Sequence, residues 1–269
     1  MLRRSVIKLL DVTGFRGPVK RLRTFRKARG LSEWNPLVPE PEFLECMHKT
    51  LRTVKLANGD SPVGDYLEFG VSRGTSMSLV WKALHSEGML ERVRLFGFDS
   101  FQGMPPESLG QGWVPGEFHS TLSATRQHLR ERSVDLDKVH LIKGWFRDTL
   151  TEQTRAEYSI GKASLIMVDC DIYSASKEAL DFCEPHIHNT AAIVFDDWSW
   201  REDRGERGQK EAFQEFLDAS PSLSAETLPS YRPEARVFLV TRKQSIRAKF
   251  SALLGIFSLH LEFLMPVVI

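Results

Sequence analysis

The chain has 269 residues, of which 42% are hydrophobic and 26% charged, and its formal net charge at neutral pH is +1. This is the composition of a globular protein with one large domain and additions to it. The near-neutral charge gives no indication of a nucleic-acid partner. Three cysteines without a CxxC spacing indicate reduced thiols, and no signal peptide is evident, so we expect a cytoplasmic protein.

The first predicted unit is a helical N-terminal extension over residues 1–60. Its first thirty residues hold ten lysines and arginines against one acid, Asp11. A solvated amphipathic leader accounts for this bias, and contact with an anionic membrane or partner surface is the alternative. We expect the extension to act as a lid or as an oligomer contact.

Residues 61–243 alternate short apolar runs with helical patterns. The predicted helices are Thr75–His85, Leu122–Arg132, Ala175–Glu184 and Gln209–Leu217. The predicted strands are Tyr66–Val71, Val93–Asp99, Val139–Gly144, Ser164–Asp169 and Ala191–Asp197, with LSAETLP and Ala235–Arg242 as a closing pair. Because the inner runs are apolar throughout and alternate with helices, they predict an α/β fold with a doubly wound, mostly parallel sheet.

Five acidic residues lie at or near the carboxyl ends of these strands. The chain shows no internal repeat that would suggest another architecture. Ligands of doubly wound sheets bind beyond the carboxyl ends of the strands. We therefore expect one site that is shared by Glu68, Asp99, Asp169, Asp196 and Asp197.

The turn after the first strand, EFGVSRGTS, suits an amino-acid ligand. Gly70 and Gly74 permit tight turning, and N–H groups at the following helix start favour a carboxylate. The turn lacks the third glycine of the dinucleotide motif and the GK[ST] of a phosphate loop, whereas Glu68 would hold an ammonium group. A plain strand–helix turn is the alternative. Asp99 lies where ribose hydroxyls bind, and a ligand with an amino-acid end and a ribose is S-adenosylmethionine.

Five motifs occur in order between Leu67 and Arg242: EFGVSRGTS, FDSFQGMPP, GWFRDTL, VDCDIYSASKEAL and FDDW. Together they resemble the macrocin O-methyltransferase family, which includes enzymes that methylate sugar hydroxyls on macrolide and aminocoumarin antibiotics. The resemblance implies a class I methyltransferase fold, which is Rossmann-like and ends in an antiparallel last strand. It also implies S-adenosylmethionine and a divalent metal ion, usually Mg²⁺.

By matched positions, the resemblance assigns the cofactor contacts to two turns and a later loop. The contacts to the methionine part and its turn fall on Glu68, Gly70, Ser72 and Ser76. The contacts to the ribose and adenine fall on Asp99, Ser100, Trp145 and Asp148.

The resemblance also implies that three aspartates hold the metal, namely Asp169, Asp196 and Asp197. The residue chemistry agrees, because hard divalent cations prefer oxygen ligands. Crowded carboxylates also repel one another unless a cation or a shared proton relieves them. The alternative is a set of exposed turn acids that cap the following helices.

A metal at this place would bind substrate hydroxyls, for example a vicinal pair, and promote loss of their proton. The transfer then needs a proton acceptor, for which Asp171, Asp169 and His119 are candidates, and we take the two aspartates as the catalytic residues. Asp171 is also placed to cap the helix that begins near Ser174.

The Gly- and Pro-rich segment at residues 101–120 is long for a loop inside a compact domain. We expect it to be an active-site lid, with Trp113 as a sugar-stacking face. A simple surface excursion is the alternative.

The tail, residues 244–269, is apolar but interrupted by His260 and Glu262. This favours a packing or dimer-forming helix over a membrane span. Peripheral contact of the tail with a membrane is the alternative. We expect the protein to be a homo-oligomer.

The leading hypothesis is an O-methyltransferase for a hydroxyl of a sugar, a glycan or a glycosylated small molecule. A catechol-type phenol as acceptor is the enzymatic alternative. A non-catalytic methyltransferase-fold subunit at a membrane surface is the third possibility, and the intact set of acids argues against it.

Overall fold

The structure of the protein is a computed structural model that describes residues 38–111, 113–199, 205 and 207–243. The predictions for the basic leader and for the apolar tail lie outside these residues. Within them, no helix has both the length and the apolar character needed to cross a membrane.

Seven strands form one sheet in the order β3-β2-β1-β4-β5-β7-β6. Strand β7 runs antiparallel to both of its neighbours, and the other pairings are parallel. The prediction of a mostly parallel α/β sheet with an antiparallel last strand is therefore confirmed. The strands are β1 (Asp65–Phe69), β2 (Leu95–Asp99), β3 (Val139–Lys143), β4 (Ala163–Val168), β5 (Thr190–Phe195), β6 (Leu223–Leu228) and β7 (Arg236–Arg242).

Helices cover both faces of the sheet, as the continuous apolar strands require. Every residue of β1, β4 and β5 is buried. One face packs against α1, α2 and α3, and the other against α6 and α7. The α-helices are α1 (Glu40–Asn58), α2 (Thr75–Ser86), α3 (Leu122–Glu131), α4 (Phe146–Thr149), α5 (Glu152–Glu157), α6 (Tyr173–Cys183) and α7 (Gln209–Ala219).

Helix α1 is the described part of the predicted N-terminal extension. Phe43, Met47 and Leu51 recur at a spacing of four and are buried, which gives the helix one apolar stripe. This stripe joins the same hydrophobic core as α2. The guanidinium of Arg132 donates two hydrogen bonds to the carboxylate of Glu40 and ties the start of α1 to the end of α3.

Four strands end level with one another at one edge of the sheet. Phe69 of β1 pairs with Phe98 of β2 and Val168 of β4, and Val168 pairs with Phe195 of β5. Strands β4 and β5 end one and two residues earlier than predicted, so the aspartates that follow them lie in loops. The residues that directly follow these four paired positions therefore lie side by side: Gly70, Asp99, Asp169 and Asp196.

Candidate active site

The glycine turn after β1 packs directly against the exit of β4. The Asp169 N–H donates to the Phe69 carbonyl at 2.8 Å, and the Gly70 N–H donates to the Phe98 carbonyl at 3.0 Å. Gly70 has φ +91°, and a Cβ at this position would lie 1.7 Å from the Asp169 carbonyl oxygen. Only glycine fits this approach, so the turn and the first of the clustered aspartates are fixed relative to each other.

Glu68 lies beneath this turn and is fully buried. Its carboxylate accepts hydrogen bonds from the Ser76 hydroxyl at 2.5 Å and from the Tyr66 hydroxyl at 2.7 Å. Burial raises the pKa of Glu68 to about 7, although both hydrogen bonds oppose the rise. The lining of the cavity described below includes Ser76 but not Glu68.

Asp99 holds the two turns of the site together. One of its oxygens accepts hydrogen bonds from the N–H groups of Val71 and Ser72 at 2.8 and 2.7 Å, and the other accepts from Phe101 N–H at 2.6 Å. Burial raises the pKa of Asp99, and these backbone bonds oppose the rise. A carboxylate has about four lone-pair sites, so one remains for a ligand in the cavity that Asp99 lines.

One cavity of about 980 Å³ brings most of the predicted site residues together. Its volume lies at the upper end of the range for ligand sites. The side chain of Asp148 lies outside the lining and is 65% exposed. The predicted residues that line the cavity are Gly70, Ser72, Ser76, Asp99, Ser100, His119, Trp145, Asp169, Asp171, Asp196 and Asp197.

The predicted lid segment lies over this cavity. It includes a short 3-10 helix, Pro106–Gln111, and Trp113 and Phe118 pack edge to face with ring centroids 5.3 Å apart. Both rings line the cavity. The Ser72 hydroxyl donates to the Phe118 carbonyl at 3.0 Å, which links the segment to the glycine turn. Exclusion of water by this segment stays a prediction.

The aspartates form a compact acidic cluster at the floor of the cavity. Carboxylate oxygens of Asp169, Asp196 and Asp197 lie within 4.8 Å of one another. Asp171 joins them through a hydrogen bond to Asp197, with its backbone in the left-handed region at φ +60°. None of the described helix starts uses these side chains as caps: α6 has no side-chain cap, and at the start of α7 the Gly208 N–H donates to the Glu211 carboxylate at 2.7 Å.

Burial and mutual repulsion shift the protonation of this cluster. Burial raises the pKa of Asp169 well above its usual range, and the negative charges of Asp196 and Asp197 add to the rise. Burial and the Asp197 charge likewise raise the pKa of Asp171. The pKa of Asp197 rises to about 7, first through burial and then through Asp196. Repulsion among clustered carboxylates of this kind is relieved by a shared proton or by a cation.

The donor set fits a hard divalent cation. It consists of carboxylate oxygens alone, close enough to share one ion, and oxygen is the ligand type that Mg²⁺ and Ca²⁺ prefer. The crowding of negative charges is itself a reason for a cation. A bound cation would relieve the mutual repulsion that contributes to these raised pKa values.

Three residues that support the cluster were missed by sequence reasoning. The Gln209 amide donates to the Val168 carbonyl at 3.0 Å and accepts from the Asp197 N–H at 3.0 Å, so it bridges the ends of β4 and β5. Tyr231 and Arg232, which precede β7, both donate to the Asp196 carboxylate. Gln209 begins a predicted helix, but the helical pattern does not indicate a role at the strand ends, and Tyr231 and Arg232 lie in no periodic pattern.

The sheet order and the acid-lined cavity at its carboxyl edge define a class I methyltransferase fold. Within that class, the sequence model of the macrocin-O-methyltransferase (TylF) family matches residues 42–220. The chain belongs to this family.

Two curated relatives come from Streptomyces. One is the 8-demethyl-8-(2,3-dimethoxy-alpha-L-rhamnosyl)-tetracenomycin-C 4'-O-methyltransferase of Streptomyces olivaceus, which is 28% identical over 155 residues. The other is the demethyldecarbamoylnovobiocin O-methyltransferase of Streptomyces niveus, which is 26% identical over 151 residues. The matches cover 54% and 52% of this chain and span only 57% and 55% of these relatives.

Solved structures of two methyltransferases share the fold. The O-methyltransferase NovP superimposes with a TM-score of 0.61 at 18% identity, over 82% of this chain and 88% of NovP. The calicheamicin methyltransferase CalS11 gives a TM-score of 0.55 at 20% identity, over 84% of this chain and 93% of CalS11.

Proposed function

We propose that the protein is an S-adenosylmethionine-dependent, divalent-metal-assisted O-methyltransferase that acts on a hydroxyl of a sugar or of a glycosylated small molecule. The observation that carries the proposal is the position of the aspartate cluster, on the floor of the cavity whose wall is the glycine turn. Membership of the family supports the reaction class. The names of the relatives, which refer to a rhamnosyl-tetracenomycin and to demethyldecarbamoylnovobiocin, support the acceptor class.

The cofactor would lie along the turns that follow β1 and β2. Gly70, Ser72 and Ser76 line the cavity at the first turn, where the N–H groups that begin α2 favour the carboxylate of the methionine part. Asp99 and Ser100 line it at the second, where ribose hydroxyls bind in this class of sheet.

Three further cofactor contacts are proposed for residues that differ in their position relative to the cavity: Trp145, Glu68 and Asp148. Trp145 lines the cavity, and we assign it to the adenine edge. Glu68 reaches the cavity through the hydroxyl of Ser76, so its action on the ammonium group would be indirect. Asp148 is exposed and outside the lining, and its proposed contact requires the bound cofactor to extend beyond the cavity.

Asp169, Asp196 and Asp197 would hold the divalent ion, which when bound makes a coordinated hydroxyl a better proton donor. The chain's own residues then position the acceptor oxygen, keep water away and take up the proton. As the new carbon–oxygen bond forms, the carbon–sulfur bond breaks, and the hydroxyl proton passes to a carboxylate. Asp169 and Asp171 are our candidates for that carboxylate because both line the cavity at the aspartate cluster.

His119 is the remaining candidate for the proton acceptor. It lines the cavity, and it lies close enough to Asp99 to lower the pKa of that carboxyl. We therefore place it on the cofactor side of the cavity. The cytoplasmic location, the homo-oligomer and the peripheral membrane contact rest on the sequence and stay predictions.

A transfer assay with a labelled methyl donor tests the proposal. Glycosides and catechols are offered in parallel, with Mg²⁺ or with excess chelator. We expect label in the glycosides, and at least about 100-fold less of it with chelator or with Asp169→Asn. Asp181→Asn, which changes an exposed aspartate on α6, is the matched control and should keep full activity. Transfer to catechols alone would reject the acceptor class, and full activity in chelator would reject the metal.

A further inference from the structure

We infer that Tyr231 and Arg232 are positioning residues that hold Asp196 in the orientation needed to bind the divalent ion. The inference rests on the proposed function, because it assigns a role toward the ion that Asp196 would ligate. These two residues precede β7, and neither was assigned a role from the sequence.

Both oxygens of the Asp196 carboxylate are held from the same loop. The Arg232 guanidinium donates to Oδ2 at 2.5 Å and to the Asp196 carbonyl at 3.1 Å. The Tyr231 hydroxyl donates to Oδ1. The side chain of Asp196 is only 8% exposed, and that of Arg232 is 20% exposed, so these are enclosed contacts rather than a surface ion pair.

The loop that carries the pair is fixed by the core of the protein. Tyr231 is buried and packs edge to face on Phe43 of α1, with ring centroids 4.9 Å apart. The Cys46 thiol, one turn further along α1, donates to the Pro229 carbonyl at 3.4 Å. Helix α1 therefore holds the loop in place, and the loop in turn holds Asp196.

The hydrogen-bonding capacity of the carboxylate leaves room for an ion. An ionised carboxylate offers about four lone-pair sites, of which Tyr231 and Arg232 use one on each oxygen for their side-chain bonds. The remaining sites are available to an ion shared with Asp169 and Asp197, whose oxygens lie within 4.8 Å. Partners that orient a ligating carboxylate in this way commonly change metal affinity by about 10–100-fold when removed.

Arg232 also carries a fixed positive charge close to the cluster, with its Nη2 3.6 Å from Asp197 Oδ1. A competing role follows from this distance, in which the guanidinium occupies the place of the ion and must be displaced by it. The two roles predict opposite signs. Removal of a positioning residue weakens ion binding, whereas removal of a competitor strengthens it.

Calorimetric titration of the purified chain with Mn²⁺ alone separates these roles. We expect Tyr231→Phe and Arg232→Met each to weaken Mn²⁺ binding by about 10–100-fold. Arg232→Lys should recover part of the loss, since it keeps the charge but not the planar fork. Arg236→Met is the matched control: it removes the same charge at the start of β7, opposite Phe195, outside the cavity lining, and should leave Mn²⁺ binding within about twofold.

Each outcome decides the inference. Unchanged or tighter Mn²⁺ binding in Tyr231→Phe and Arg232→Met would overturn it while leaving the proposed function intact. Failure of the wild-type chain to bind Mn²⁺ would overturn both. The affinity for S-adenosylmethionine should stay within about twofold of wild type in every variant. A variant that loses affinity for both S-adenosylmethionine and Mn²⁺ would indicate general damage and reject a positioning role. If Arg232→Met does not fold, Tyr231→Phe decides, because it removes one hydroxyl and keeps the ring against Phe43.

Discussion

At the scale of single residues, Gly70 sets the distance between two strand exits. We expect Gly70→Ala to lower the free energy of unfolding by about 3 kcal/mol, because the new methyl group meets the Asp169 carbonyl and the backbone has positive φ. Gly88→Ala is the matched control, since Gly88 has φ +65° and nothing within 4 Å of its Cβ position. It should cost about 1 kcal/mol. Urea unfolding measures both, and equal losses would contradict the close approach.

Glu68 gives the stability a pH dependence of known sign. Its pKa of about 7 in the folded protein exceeds the ordinary 4.5, so the folded state binds the proton more tightly than the unfolded chain does. The stability that this proton contributes is fully present below pH 4.5 and is lost as the pH rises through 7.

Compared with Glu68→Gln, which cannot ionise, the wild type should therefore lose roughly 3 kcal/mol between pH 4 and pH 8. Urea unfolding of both proteins at several pH values measures this difference. A difference that stays constant across the range would show that Glu68 ionises normally inside the protein.

The sequence indicated the clustered acids that follow strands and missed the residues that support them. Asp169, Asp196 and Asp197 were predictable because each follows an apolar run, and parallel strands bring their carboxyl ends to one edge. The burial of Glu68 behind Ser76 was not predictable, since the sequence does not show which side of the turn its carboxylate faces. Arg232 reaches Asp196 across 36 residues of chain, by way of a loop without any motif.

At the scale of elements, the first residue of α7 joins two strand ends. Gln209 is fully buried, and it satisfies the Val168 carbonyl and the Asp197 N–H. Gln209→Met would leave both backbone groups without this partner, so we expect the free energy of unfolding to fall by about 3 kcal/mol.

Gln214→Met on the same helix provides the comparison. Gln214 is exposed, and among the residues that the structure describes its side chain bonds to Asp218 of its own helix, so its replacement should change the stability by less than about 0.5 kcal/mol. Denaturant unfolding of the two variants measures the difference. Equal effects would mean that the bridge between β4 and β5 contributes nothing.

The order of the elements was predictable, but their ends were less so. Apolar runs without alternation indicated buried parallel strands, and β1, β4 and β5 are buried throughout. The predicted ends of β4 and β5 reached into the aspartates because a carboxylate at a strand tip fits the same pattern as one in the following loop. The 3-10 helix Pro106–Gln111 lay inside a segment where Gly and Pro indicated only a loop.

At the scale of the whole molecule, the proposed cofactor should stabilise the fold. A ligand at about 100 times its dissociation constant adds about 2.7 kcal/mol, which corresponds to a rise of roughly 5–10 °C in Tm for a domain of this size. Thermal unfolding with S-adenosylmethionine measures the rise, and NAD serves as the control because the turn lacks the third glycine of its motif. A rise with NAD, or none with S-adenosylmethionine, would contradict the cofactor assignment.

The family match ends at residue 220, ahead of the two C-terminal strands. Yet β7 lies between β5 and β6, and it covers the otherwise open side of β5, whose six residues are all buried. A fragment cut at the end of the match would expose that apolar strand as a bare edge, and bare edges recruit other chains into aggregates. The last hairpin thus covers the edge of β5, and the loop between its strands reaches the aspartate cluster.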